Sequence, residues 1–158
     1  MKSRQDKFEE KNKIARICWN NNGWKFPSGQ KGKSSSSQAY ENINGFGYEE
    51  WLFDKRKIID GFHYAFLQPL NLKSRKHEGK NYNISLFTMS NSGKKYYVGK
   101  IKNAKCISKE KTKEVYNIYK QNGWLKEMIN EIEVAGGNSK AFKEISPESF
   151  VNFKFKFE

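Results

Sequence analysis

Hydrophobic and polar positions alternate along most of this chain. Lys13–Asn20 reads KIARICWN, with Ile14, Arg16 and Cys18 on one side and Ala15, Ile17 and Trp19 on the other. That period of two predicts a strand with one mixed face. Lys57–Leu67 is apolar and aromatic and predicts a second strand, stopped at Pro69. Tyr82–Met89 and Lys94–Ile107 predict a hairpin around the turn Ser90–Gly93. By simple alternation Lys94, Tyr96, Val98, Lys100, Lys102, Ala104 and Cys106 share one face of its second strand. Val151–Phe157 alternates strictly, with Phe153, Phe155 and Phe157 pointing inward.

The period changes to that of a helix in three places. Gly47–Asp54 offers a short helix with acids in its first turn, where the helix dipole favours them. Lys109–Gln121 places Val115, Ile118 and Tyr119 on one side, and Asn122-Gly123 closes it. Trp124–Val134 has apolar positions at 124, 125, 128, 129 and 132 and stops at Gly136-Gly137. Ser146-Pro147 reads as an N-cap followed by a proline in the first turn. Asn20–Ser37 (NNNGWKFPSGQKGKSSSS) is a long loop by composition, and loops of that length in compact domains are often functional. The sum is a mixed, mainly β fold. Alternating strands favour an antiparallel sheet or open barrel over a parallel one. Residues 1–12 are expected to be a flexible or short helical N-terminus, and 13–158 a single domain. The core is expected to hold Trp51, Phe53, Phe62, Phe66, Phe87, Phe153 and Phe155.

Charge sharpens this picture. The chain has 158 residues and a formal net charge of +13. Lys11–Tyr40 contains no acid but carries Lys11, Lys13, Arg16, Lys25, Lys31 and Lys33. Gly79–Lys109 repeats the pattern with Lys80, Lys94, Lys95, Lys100, Lys102, Lys105 and Lys109. These two stretches hold as many cations as the whole net charge, so the remainder is roughly neutral. Such a distribution suggests surfaces facing a polyanion, most commonly nucleic acid. Cys18 and Cys106 fit no metal spacing and are expected to be reduced, buried thiols of a cytoplasmic protein. No secretory signal or membrane span is expected. The strand pattern running to the last residues suggests a domain of something larger.

Three motif resemblances are weak. Pro27–Ser34 (PSGQKGKS) imitates a phosphate-binding loop but lacks the first glycine and the following helix, so no nucleoside triphosphate site is expected. Asp60, Glu78 and Lys80 imitate a metal-dependent nuclease, yet their surroundings are polar and loop-like. His63 lies in an aromatic run and is expected in or near the core, while His77 belongs to a loop. No metal site, cofactor or catalytic group is expected.

Residues 14–54, from ICWNNNGWKFPSG through the Ser/Lys loop to GFGYEEWLFD, resemble the N-terminal DNA-recognition domains of bacterial restriction proteins, with McrB-like subunits of LlaJI-type systems the best match. Those domains are similar to the B-three domain of plant transcription factors, and EcoRII and BfiI carry relatives. The resemblance implies a seven-stranded open antiparallel pseudobarrel with short flanking helices. It implies two arms that grip the major groove of double-stranded DNA, one within residues 22–40 (centred on Trp24–Ser37) and one at 88–97. A GTPase motor domain and an McrC-like nuclease subunit are implied for a full-length parent.

The expected DNA contacts follow. Lys25, Lys31, Lys33, Lys94, Lys95, Lys100 and Lys102 would meet phosphates. Ser28, Gln30, Ser34, Ser35, Ser36, Ser37, Ser90, Asn91 and Ser92 supply the short polar groups of the two arms, suited to phosphates and base edges. Trp24 and Tyr96 would pack on sugars or brace the arms. The alternative is a barrel that binds RNA or single strands by stacking bases on Trp24, Phe46, Tyr96 and Tyr97; a metal-dependent nuclease is third.

Overall fold

The computed structural model describes residues 11–33, 39–70 and 76–157. Five strands form one open sheet among them: β1 (Asn12–Ile17), β2 (His63–Ala65), β3 (Asn81–Met89), β4 (Lys95–Cys106) and β5 (Phe153–Phe155). Their order is β1-β3-β4-β5-β2. All neighbours are antiparallel except β1, which runs parallel to β3 with Ile17 beside Thr88. The mainly β open sheet agrees with the alternating pattern. The parallel edge does not, because a six-residue strand records which residues point inward but not which neighbour it joins. The expected N-terminal segment lies largely outside the described residues.

The sheet's inner face closes over Ala15, Ile17, Ala65, Ile84, Leu86, Ile101, Ala104, Phe153 and Phe155. Among the described residues four helices stand beside it: α1 (Tyr40–Asn44), α2 (Lys109–Gln121), α3 (Trp124–Val134) and α4 (Ser139–Lys143). Val115, Tyr119, Leu125, Met128 and Ile132 from α2 and α3 meet Phe46, Trp51, Tyr64, Phe142 and Phe150 in a second core. Tyr64 therefore points away from the sheet interior and joins the helices to β2. Helices α2 and α3 match the apolar spacing at both ends. Ser108 caps α2 by accepting from the Lys111 amide, and Gly123, at φ +75°, turns the chain into α3.

Three expectations shift. The strand expected over 57–67 shortens to His63–Ala65, because residues 54–62 are folded into turns. There a buried Lys57 pairs with Asp54, and Ile59 bridges Phe62 across a left-handed Asp60 and Gly61. Gly47–Asp54 supplies a single 3-10 turn, Tyr48–Trp51. The third change is in β4. Its pairing with β3 slips at Val98 and again at Asn103, which has φ +53°. Each extra residue reverses the alternation. Tyr96, Ile101, Ala104 and Cys106 thus lie on the inner side, whereas Lys95, Tyr97, Lys100 and Lys102 lie on the outer. Lys100 and Lys102 do not share a face with Tyr96. Phe87 pairs with Tyr97 and stands half-exposed on the outer face instead of in the core.

Asn103 adopts the left-handed conformation that Asn tolerates and β-branched residues do not. Asn103→Val should cost about 1–2 kcal/mol in urea unfolding, while Asn103→Gly should leave stability near the parent value.

Candidate nucleic-acid interface

The early loop is built around one carboxylate. Glu50 is fully buried in the turn below it. Its Oε1 accepts from Asn20 Nδ2 at 3.0 Å, the Ser28 amide at 3.1 Å and the Lys33 ammonium at 2.7 Å. Its Oε2 accepts from the Gly47 amide at 3.0 Å. Lys33 is as buried as its partner and also donates to the Gly29 carbonyl. Asn20 completes the frame. Its Oδ1 accepts from the Asn22 and Trp24 amides, and its Nδ2 also reaches the Phe26 carbonyl. A segment that composition marks as loose is thereby pinned at both ends and in the middle.

This frame changes the roles of several expected contacts. Lys33 cannot meet a phosphate, because its charge is neutralised inside the protein. Trp24 is half-buried against the sheet core and donates its indole N–H to the Cys18 carbonyl at 2.9 Å, so it braces the loop. Ser28 is half-buried, and its hydroxyl accepts from the Asn21 amide. Phe46 is buried and cannot stack bases either. Lys31 and Gln30 remain exposed, and Gln30 donates to the Asn42 carbonyl at 2.7 Å, tying the loop to α1. Lys25 is exposed on a groove of about 770 Å³ shared with Phe26, Phe53, Arg56 and Val134. Ser34, Ser35, Ser36 and Ser37 lie outside the described residues.

The later arm is the β3–β4 turn. Ser90 and Lys94 close it through the Ser90 amide and the Lys94 carbonyl, and the Ser90 and Ser92 hydroxyls meet at 2.8 Å. Asn91, Ser92, Lys94 and Lys95 are exposed. Because β1 runs parallel to β3, the chain leaves β1 at the same end of the sheet as this turn. The Thr88 hydroxyl donates to the Ile17 carbonyl at 2.9 Å there. The two arms then meet through one side chain, Trp19. A Cβ on Gly32 would stand 2.5 Å from the Trp19 indole nitrogen, so only glycine fits. The opposite contact of Trp19 is Tyr96, with ring centroids 5.6 Å apart and edge to face. Lys94 Nζ lies 5.4 Å from the Tyr96 ring centroid. Lys31 and Lys94, sixty-three positions apart in sequence, thus flank one Gly32–Trp19–Tyr96 contact.

Sequence reasoning missed Glu50, Asn20 and Trp19. Trp19 offered a signal, a large aromatic at a strand's end beside a glycine-rich loop. Glu50 offered none, since its acid lies outside the basic stretch that it neutralises.

Burial shifts the titratable side chains near the arms and core. Burial, with Glu49 and Glu50 nearby, pushes the Cys18 thiol well above its usual range, and burial pushes Cys106 up to about 11. Neither is a ready thiolate. His63 is buried between the Lys57 and Trp51 carbonyls, and loss of solvent lowers its basicity. Among the described residues no group of three or more His, Cys, Asp and Glu side chains is placed to hold a metal ion. No described helix is long and apolar enough to cross a membrane. Comparison with protein-family models, with curated proteins and with solved structures finds no match.

Removing one member of the buried pair strands the other charge. Lys33→Met and Glu50→Gln should each cost about 3–5 kcal/mol in denaturant unfolding, and Lys31→Ala close to nothing. A pH effect comes from Glu49, whose carboxyl is raised to about 7 by burial and by the nearby Glu41 and Glu50. A raised carboxyl favours folding below its unfolded value near 4.5, and that contribution fades as pH climbs towards 7. Glu49→Gln should therefore gain stability over the parent progressively between pH 4.5 and 7, as read from paired urea titrations.

Proposed function

We propose that this chain is a sequence-specific double-stranded DNA-binding module of a cytoplasmic restriction protein, without catalysis of its own. The observation that carries the reading is the Gly32–Trp19–Tyr96 contact, which joins two acid-free, lysine-bearing arms at one end of the sheet. On this reading Lys31 and Lys94 neutralise phosphates and fix register, which accounts for affinity but not for sequence choice. Base edges are read by Asn91, Ser92 and Gln30. Gln30 keeps its amide oxygen and one N–H after bonding Asn42.

The five-stranded open sheet would be the greater part of a B-three-like seven-stranded pseudobarrel, with the arms following β1 and joining β3 to β4. Arms at these two places are what the McrB-like resemblance of residues 14–54 implies. A GTPase motor domain and an McrC-like nuclease subunit would act on the DNA that this module selects.

Selection of bound duplexes from a random pool should enrich a defined short site, and failure to enrich any sequence would overturn the proposal. On the selected site, Lys31→Ala and Lys94→Ala should each lower the slope of log affinity against log salt by about one. Asn91→Ala should instead narrow the preference over scrambled duplex while leaving the slope unchanged.

A further inference from the structure

Among the described residues no layer covers the outer face of β1, β3 and β4, since the long helices pack with Tyr64 on the β2 side of the sheet. These three strands contain no Asp or Glu. Their registers place side chains in rows. Arg16 is beside Phe87, and Phe87 is beside Tyr97. In the next row Ile14 is beside Ser85 and Ser85 beside Lys100. Tyr97 is 73% exposed and Ile14 is 74% exposed. Neighbouring strands are about 4.8 Å apart, so each row spans roughly 10 Å of open surface. Lys95, beside Met89 in the adjoining row, brings its ammonium to 6.0 Å from the Phe87 ring centroid.

An exposed aromatic and apolar patch on a protein surface marks a binding site more often than chance. Here the cations around it select for an anion, which excludes an acidic-poor or purely apolar partner. A duplex offers phosphates and groove edges but keeps its base faces stacked. An unpaired strand offers both the phosphates that Arg16, Lys95 and Lys100 would meet and the base faces that Tyr97 and Phe87 would stack on. We propose that this outer sheet face is a second nucleic-acid site, one that binds unpaired DNA or RNA by stacking bases on Phe87 and Tyr97 between flanking cations. It stands apart from the arm tips. The alternation of β4 sends Tyr96 towards Trp19 and its neighbour Tyr97 to the opposite side, so one hairpin serves two surfaces.

The test is fluorescence anisotropy of the whole chain with labelled twelve-nucleotide oligo-dT and oligo-U at low salt. Both strands, or one in preference, should bind. Tyr97→Ala should weaken that binding about 5- to 100-fold, Tyr97→Phe should restore most of it, and Lys126→Ala, at an exposed lysine of α3, should leave it unchanged. Tyr97 makes little contact with the core, so circular dichroism of Tyr97→Ala should match the parent. Binding to neither oligonucleotide, equal binding by Tyr97→Ala, or full displacement of oligo-dT by unlabelled duplex would each overturn the proposal. None of these results depends on a preferred duplex site, so the duplex reading stands or falls separately.

Discussion

Placing a lysine and a glutamate together out of water is expensive, and the fold around Lys33 and Glu50 shows what makes it tolerable. Two bare charges in a protein interior lose several kcal/mol of hydration each, which their mutual attraction offsets only with good geometry and further hydrogen bonds. Glu50 accepts from Asn20, Ser28 and Gly47 as well as Lys33. Lys33 donates also to the Gly29 carbonyl. Every one of these partners lies in the early loop or the turn beneath it. The loop has too few apolar side chains to build a core of its own, so a satisfied ionic centre takes that role. Gly29 and Gly32 add close backbone approaches, one against the Ala135 carbonyl and the other against Trp19.

Where the loop leads is set by β1. A parallel pairing with β3 needs a long connection, and here that connection carries the loop, α1 and β2 before the chain returns. The arrangement delivers the end of β1 and the turn of the hairpin to one edge of the sheet. Trp19 then fills the gap between them. An antiparallel β1 in the same place would have sent its following loop to the far end, and the two basic stretches would have been separated.

The elements with dense, periodic apolar positions were legible from sequence. Both long helices, both hairpin strands and the inward Phe153 and Phe155 follow directly from spacing and burial. What escaped is information that a single strand of text does not carry. The extra residues at Val98 and Asn103 turn over the β4 alternation, so lysines that share parity with Tyr96 face the opposite way. Phe87 looks like core by composition but is paired with an exposed tyrosine. Lys33 sits among exposed lysines in sequence and differs from them only through an acid seventeen positions later. Charge marks the two basic segments as surfaces for a polyanion, and their approach to one another at Trp19 is visible only in the fold.

The wiring of Glu50 also has a consequence in time. Nothing within residues 11–33 can neutralise Lys33, and β1 has no hydrogen-bonding neighbour until residues 81–89 exist. This early segment is therefore among the last of the sheet that can settle, waiting on contacts distant in the chain, and such dependence slows assembly. Until then an edge strand with a bare Ile14 and an unformed basic loop are held open, a window in which chaperones or a nascent-chain neighbour would find this protein most vulnerable.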